Sequence, residues 1–185
     1  AHGIGSLQVG DLELSGEFAD GVLHGLGQIK DTQSGALFQG EMERGVPHGH
    51  VEVTSSTLNF VGALEQGVPS GFGIETVSPT GQKRFRKAFY RRGKADGVGA
   101  ESVEDSDGIE SIERVGVFAD GVLERETTVA ADIELQLGRL HHAEQRMFAH
   151  AQRNAARWAA ITSELARVQQ TVADQLAKRR ARAAA

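Results

Sequence analysis

ALFQGEMERGVPHGHVEV, residues 36–53, is the stretch on which the fold turns. Ala36, Phe38, Gly40 and Met42 put an apolar or small residue at every second position, which is the period of a half-buried strand. Glu43-Arg44-Gly45 then forms a tight turn, because Gly45 takes positive φ without steric cost. Val46 to Val53 return as a second short strand. A hairpin this small cannot bury its apolar face alone and must stack on another.

The chain supplies the others. LELSGEFADGVLHGLGQI at 12–29, LNFVGALEQGVPSGFGIE at 58–75, RFRKAFYRRGKADGVGAE at 84–101 and IERVGVFADGVLERETTV at 112–129 align without gaps about the turn glycines Gly21, Gly67, Gly93 and Gly121. In the third copy the alternation runs Leu58, Phe60, Gly62, Leu64. The opening AHGIGSLQV fits a second arm, with His2, Gly3 and Gly5 where His24, Gly25 and Gly27 stand. The chain is therefore expected to begin in mid-repeat, and its first residue, Ala rather than Met, points to trimming from a longer precursor. Glycines two apart, as in Gly25/Gly27, Gly71/Gly73 and Gly97/Gly99, leave a shallow groove that an aromatic or long aliphatic side chain of a neighbouring hairpin can fill.

Composition agrees with two unlike segments. Of 185 residues 23 are Gly, and all but Gly138 precede residue 130. Residues 1–129 carry 11 basic and 20 acidic side chains, whereas 130–185 carry 9 and 5. With 5% aromatic residues a large α/β core is not expected, and without Cys there is neither a disulfide nor a thiolate nucleophile. No stretch reaches the roughly 18 to 20 apolar residues needed to cross a bilayer.

From residue 130 the apolar spacing changes to threes and fours: Leu140, Met147, Ala151, Trp158, Ile161, Leu165, Val168, Val172 and Leu176. That is one stripe of an amphipathic helix, interrupted at Glu144 and Asn154. Trp158, Ile161, Leu165, Val168 and Val172 are the candidate anchors for a partner helix; if the stripe faces the repeats instead, they are core. Gly138 is the expected kink or start. Lys178, Arg179, Arg180 and Arg182 suit the negative end of the helix dipole.

The densest charge is Lys83, Arg84, Arg86, Lys87, Arg91, Arg92 and Lys94, interleaved with Phe85, Phe89 and Tyr90. It could meet anionic lipid, nucleic acid or an acidic partner. The plainer reading is a hairpin edge blunted by charge. His48 and His50, two apart on a strand, would face one side, but no carboxylate or Cys completes a metal set at ligand spacing. His141, His142 and His150 read as helix surface or packing. Glu104 to Gly108 reads as a polar turn, since the later ligands of a calcium loop are missing. Every Gly-x-Gly leads into a strand, not the helix that a dinucleotide site requires. No catalytic motif is present, and neither a cofactor, a metal, a nucleic acid nor a small-molecule substrate is expected.

Phe38-x-Gly40-x-Met42-x-x-Gly45-x-x-His48-Gly49, echoed at Leu14 to Gly25 and Phe60 to Gly71, resembles the MORN repeat. The resemblance covers about residues 1–129: an opening half-repeat and five copies, with structural glycines at Gly16, Gly21, Gly25, Gly40, Gly45, Gly49, Gly62, Gly67, Gly71, Gly93, Gly97 and Gly121. Arg86 and Arg114 replace the leading aromatic and Arg125 replaces the third glycine, so the last two copies are the ones expected to be bulged or to cap the array. Together these readings predict a mainly β chain: an elongated single-layer antiparallel array of hairpins over 1–129, then a long amphipathic, coiled-coil-like helix over 130–185. The resemblance implies a non-enzymatic scaffold or adaptor that binds other proteins and can dimerise, here through its helix, in cytoskeletal or ciliary assemblies or at membranes. Two alternatives are a peripheral module binding anionic phospholipid through the basic hairpin, and the targeting piece of a larger enzyme.

Overall fold

The computed structural model describes residues 2–56, 59–77 and 82–183, with side chains to residue 180, so Leu58 and the Arg182 side chain lie outside the described residues. Strand β1 (Gly3–Val9) is followed by five hairpins: β2 (Leu12–Ala19) with β3 (Val22–Asp31), β4 (Leu37–Glu43) with β5 (Val46–Thr54), and β6 (Asn59–Glu65) with β7 (Val68–Val77). The last two are β8 (Arg84–Arg91) with β9 (Lys94–Glu104) and β10 (Glu110–Ala119) with β11 (Val122–Glu126). All eleven strands form one antiparallel sheet in sequence order, and a single helix, α1 (Ala130–Ala183), follows. The helix runs through Gly138 unbroken, so that glycine is neither its start nor an interruption.

Each hairpin closes on two residues, Asp20-Gly21, Arg44-Gly45, Gln66-Gly67, Arg92-Gly93 and Asp120-Gly121, and both residues of every pair have positive φ. These are type I′ turns, whose twist matches that of the strands they join. The turns are also sewn together. The N–H of Gly45 donates to the carbonyl of Leu23, Gly67 to Pro47, Gly93 to Pro69 and Gly121 to Ala95, at 2.7 to 2.9 Å, so each turn rests on the hairpin before it.

All five hairpins shift register just beyond the middle of their first strand, for example between Gly40 and Met42. The bulge is thus a property of every copy and not only of the two degenerate ones. In the first four the returning arm carries a positive-φ glycine, and where glycines are paired the two have different tasks; the fifth shifts with Glu124 and Arg125 in that arm. The first of each pair, Gly25, Gly71 or Gly97, and Gly49 in the second copy, has φ between 87° and 117° and accommodates the bulge. The second provides the groove: a Cβ on Gly27 would lie 3.0 Å from Met42, and one on Gly99 2.8 Å from the Phe118 ring, both from the next hairpin. Gly73 receives Phe60 of its own hairpin instead.

These side chains build the larger core on one face of the sheet: Val51, Phe60, Leu64, Ala88, Tyr90, Ala95 and Phe118. Phe60 and Tyr90 meet edge to face at 5.2 Å. The opposite face receives α1. Leu140 packs with Ala100 and Val115, joined by Ile133, Leu137, Phe72, Phe89 and Val98, and Met147 lies over Ala63 and Phe72.

The helix crosses the whole sheet, from β10 and β9 past β7, β5, β3 and β2 to β1. Ten strand spacings of about 4.8 Å come to about 48 Å, and the 36 helical steps from Ile133 to Gln169, which lies beside Ser6 to Gln8 of β1, come to about 54 Å. One heptad of helix, about 10.5 Å, therefore spans one hairpin, about 9.6 Å. Gln170 to Ala183 project about 20 Å past the β1 edge.

Candidate functional site

The seam between sheet and helix gathers the polar groups that local sequence does not pair. Glu17 and Glu41 stand at the same place in the first two full copies, immediately after the central glycine. Each carboxylate folds over the bulge, where the N–H of Leu26 donates to Glu17 Oε2 and that of His50 donates to Glu41 Oε2 at 2.8 Å. The space each occupies exists because Gly25 and Gly49 carry no side chain. The same two carboxylates then reach the helix. Glu41 Oε1 lies 2.7 Å from His150 Nε2 and accepts from the Asn154 amide at 3.2 Å, and Glu17 accepts from Arg157 Nη2 at 3.1 Å. His150 and Arg157 are one heptad apart, as Glu41 and Glu17 are one hairpin apart.

A third pin closes the other half of the seam. Lys87 Nζ lies 3.1 Å from Glu144 on the helix and 3.1 Å from Glu110 on β10. The two polar interruptions of the helical stripe, Glu144 and Asn154, are thus where it is fastened to the sheet. The sheet is apolar toward α1 where the helix is apolar, at Phe72, Phe89 and Val98 against Ile133 to Met147, and carries Glu41 and Glu17 where the helix carries His150, Asn154 and Arg157.

The protonation equilibria follow from this packing. Burial pushes the Glu41 carboxyl up, but the His50 N–H, the His150 ring and the Asn154 amide together hold it below its ordinary 4.5. Burial pushes Lys87 down, and its bonds to Glu110 and Glu144 more than offset that, so its pKa is raised. The His50 ring is lowered from 6.5, first by burial and then by His150, whose ring centroid is 5.6 Å away, with Glu41 opposing. A histidine depressed in the folded state binds its proton more readily when unfolded. Its contribution is complete above about pH 6.5 and is lost as pH falls toward the folded value. Glu41 acts lower, its contribution being present above 4.5 and lost as pH drops through its depressed folded pKa. Urea midpoints are accordingly expected to stay level above pH 7, decline below 6.5 and decline again below 4.5, and His50→Leu should abolish the first decline. An unchanged midpoint between pH 7.5 and 5 would contradict the His50 assignment.

The basic run does not present one cationic face. Lys83 pairs with Glu104 at 2.7 Å, Arg84 with Glu113 at 3.0 Å, and Arg86 with Glu101 at 2.9 Å and Glu75 at 3.3 Å. Arg91 meets Asp96 at 3.5 Å and Lys94 meets Asp120 at 3.4 Å. Arg92 is exposed in its type I′ turn. Arg86 also lies over the Phe118 ring at 5.4 Å, on the face away from α1, whereas Lys87 is on the α1 face.

The five proposed helical anchors divide. Ile161 is buried at 3% exposure, Trp158 and Leu165 are half-buried, and Trp158 lies beside Gln39, Gly40 and Glu52 of the sheet. Val168 and Val172 are 41% and 49% exposed. His48 faces Glu43 at 3.5 Å while His50 meets His150, so the two histidines have separate partners. Among the described residues no group of three or more His, Cys, Asp or Glu is placed to hold a metal. Asp105 accepts from the N–H groups of Asp107 and Ile109, both at 2.9 Å, and closes the turn between β9 and β10.

The family profile of the MORN repeat matches residues 15–32 and 38–50. Both segments are MORN repeats. They correspond to the β2–β3 and β4–β5 hairpins, the two that carry the Glu pins. The other three hairpins keep the same turn, with Ala63, Phe89 and Val117 at the pin position; β6–β7 and β8–β9 keep the same bulge and β10–β11 shifts by one residue. The whole chain is a MORN-like hairpin array strapped by one helix. MORN repeats occur in scaffolds that bind proteins or membranes, and the family is generally non-catalytic. No curated protein matches the chain in sequence. Among the described residues no helix is long and apolar enough to cross a membrane.

Proposed function

We propose that the chain is a non-enzymatic scaffold subunit that holds other proteins in a larger assembly, with the projecting end of α1 as its contact element. The observation that carries this is the divided stripe. Its first part is consumed by the sheet, while Val168, Val172 and Leu176 continue the apolar side at 41%, 49% and 48% exposure. A projecting amphipathic helical end gains little from propensity alone and is stabilised chiefly by burying its apolar face. Lys178, Arg179 and Arg180 give the end a basic character that suits an acidic partner. Cytoskeletal structures, cilia among them, are the assemblies this reading puts first. Lipid binding through Lys83 to Lys94 is the weaker reading, since six of those seven cations already lie within 3.5 Å of a carboxylate.

A photo-crosslinking amino acid in place of Val172, in the cells from which the protein comes, tests the reading. One or a few discrete protein adducts are expected. Adducts to phospholipid alone, or none, would overturn it.

A further inference from the structure

We propose that the turn-side flank of α1 and the strip of sheet beside it form a groove for a second helix, donated by another protein and acidic along one side. The proposal rests on the scaffold reading for the kind of occupant, a protein, but not on the projecting end of α1.

A spacing of seven carries Arg139, Arg146 and Arg153 along one line of the helix, within about 40° of one another around its axis, and His142, His150 and Arg157 border that line. From Arg139 to Arg157 the only acid is Glu144, which lies on the other flank against Lys87. Arg157 reaches Glu17, and Arg153 donates to His150 Nδ1 at 3.3 Å. Among the described residues no carboxylate answers Arg139, Arg146 or Arg153.

Beside this line the sheet is open. Arg146 and Arg153 overhang a groove of about 530 Å³ whose floor and inner wall include Gly49, Ala63, Phe72, Ala143 and Met147. From His50, under the helix flank, to the turn at Gly45 the chain continues five residues, about 17 Å, more than the roughly 10 to 12 Å diameter of a helix. The outer rim carries the valine that follows each turn glycine in the first three hairpins. Val22 and Val68 are 43% and 42% exposed, and Val46 is half-buried. Val46 alternates with His48 and His50, and Val68 with Ser70 and Phe72, so the row faces the α1 side.

The occupant's shape and charge follow. Carboxylates that meet the three arginines must stand about 10.5 Å apart on one side. A helix places every seventh residue so; a strand does not, because residues three apart, about 10 Å, point to opposite faces. The rim valines recur once per hairpin, about 9.6 Å, so the same helix can set one apolar residue of each heptad over them. A bilayer or a nucleic acid fits less well. The strip beside the helix carries Glu43, Glu65 and Asp96, which would repel an anion broader than one helix flank. A second copy of α1 also fits poorly, since its 9 basic against 5 acidic side chains would set arginine on arginine.

The probe is a fluorescein-labelled peptide of about three heptads, stapled as a helix, with Glu along one flank and Leu along the next. Fluorescence anisotropy with the 185-residue chain should show saturable binding. Arg139→Glu, Arg146→Glu and Arg153→Glu together, all at exposed positions, should weaken it about tenfold or more while leaving the circular dichroism spectrum unchanged. The same charge reversal at Lys178, Arg179 and Arg180 should change it less than about twofold. Val22→Ser with Val68→Ser, which alters no charge, should weaken it about threefold or more. No saturable binding up to about 1 mM, equal loss from the two charge reversals, or no loss from the valine pair would overturn the proposal. So would phosphatidylserine vesicles or single-stranded RNA that bind through the same arginines more tightly than the peptide. In each of those cases a discrete protein crosslink at Val172 would still stand, and the scaffold reading with it.

Discussion

Gly62→Ala is expected to destabilise the array by about 3 kcal/mol and to broaden or abolish its cooperative urea transition. Gly62 sits in an ordinary strand conformation, so the cost is not one of φ. A Cβ there would lie 2.6 Å from the Gly73 Cα, 2.7 Å from the Phe72 carbonyl oxygen and 2.9 Å from the Phe60 ring. The first two are backbone atoms of the paired strand and can yield only by opening the ladder. The control is Gly138→Ala on α1, where a Cβ meets nothing within 4 Å and the better helix former should stabilise by up to about 1 kcal/mol. Loss at one glycine and gain at the other is the signature; a Gly62→Ala chain within about 0.5 kcal/mol of wild type would show that the strands part easily at that crossing.

Ile161→Asp is the second large effect, about 3 to 4 kcal/mol, from lost apolar burial together with the cost of placing a carboxylate at a position only 3% exposed. The damage should be regional. Hydrogen exchange is expected to show α1 amides from about residue 155 onward losing protection while the strands and the Ile133 to Met147 portion keep theirs. Val172→Asp, one heptad and a half further along and 49% exposed, should change stability by less than about 0.5 kcal/mol. Were the two substitutions equally mild, Ile161 would not be part of the seam, and the whole stripe would be available to partners.

The hairpins were legible because their signals are local. A turn glycine, an alternation of two and a glycine pair all fall within eighteen residues, and the chain repeats them. The helical stripe was legible for the same reason. What receives the stripe was not, because the deciding contacts join residues far apart in the chain, as Glu41 with His150, 109 positions on, and Glu17 with Arg157, 140 positions on. One signal could have been used: two acids at the same offset in successive copies, answered by two basic or ionisable side chains seven apart on the helix. The bulge of the first three copies was not legible because the glycine that takes positive φ looks in sequence like the one that leaves the groove. The basic run stands out because its seven charges fall within twelve residues, whereas the acids that answer them are scattered over β7, β9, β10, the turn after β10 and α1.

Because one heptad answers one hairpin, the two halves of the chain share a common unit of length. Duplicating a hairpin, some 24 residues as between Gly21 and Gly45, would slide every pin on one side of the new copy out of register with its partner. Seven residues added to the helix at the matching place would restore all of them. Lineages carrying this architecture should therefore differ in paired steps, gaining or losing a repeat and a heptad together.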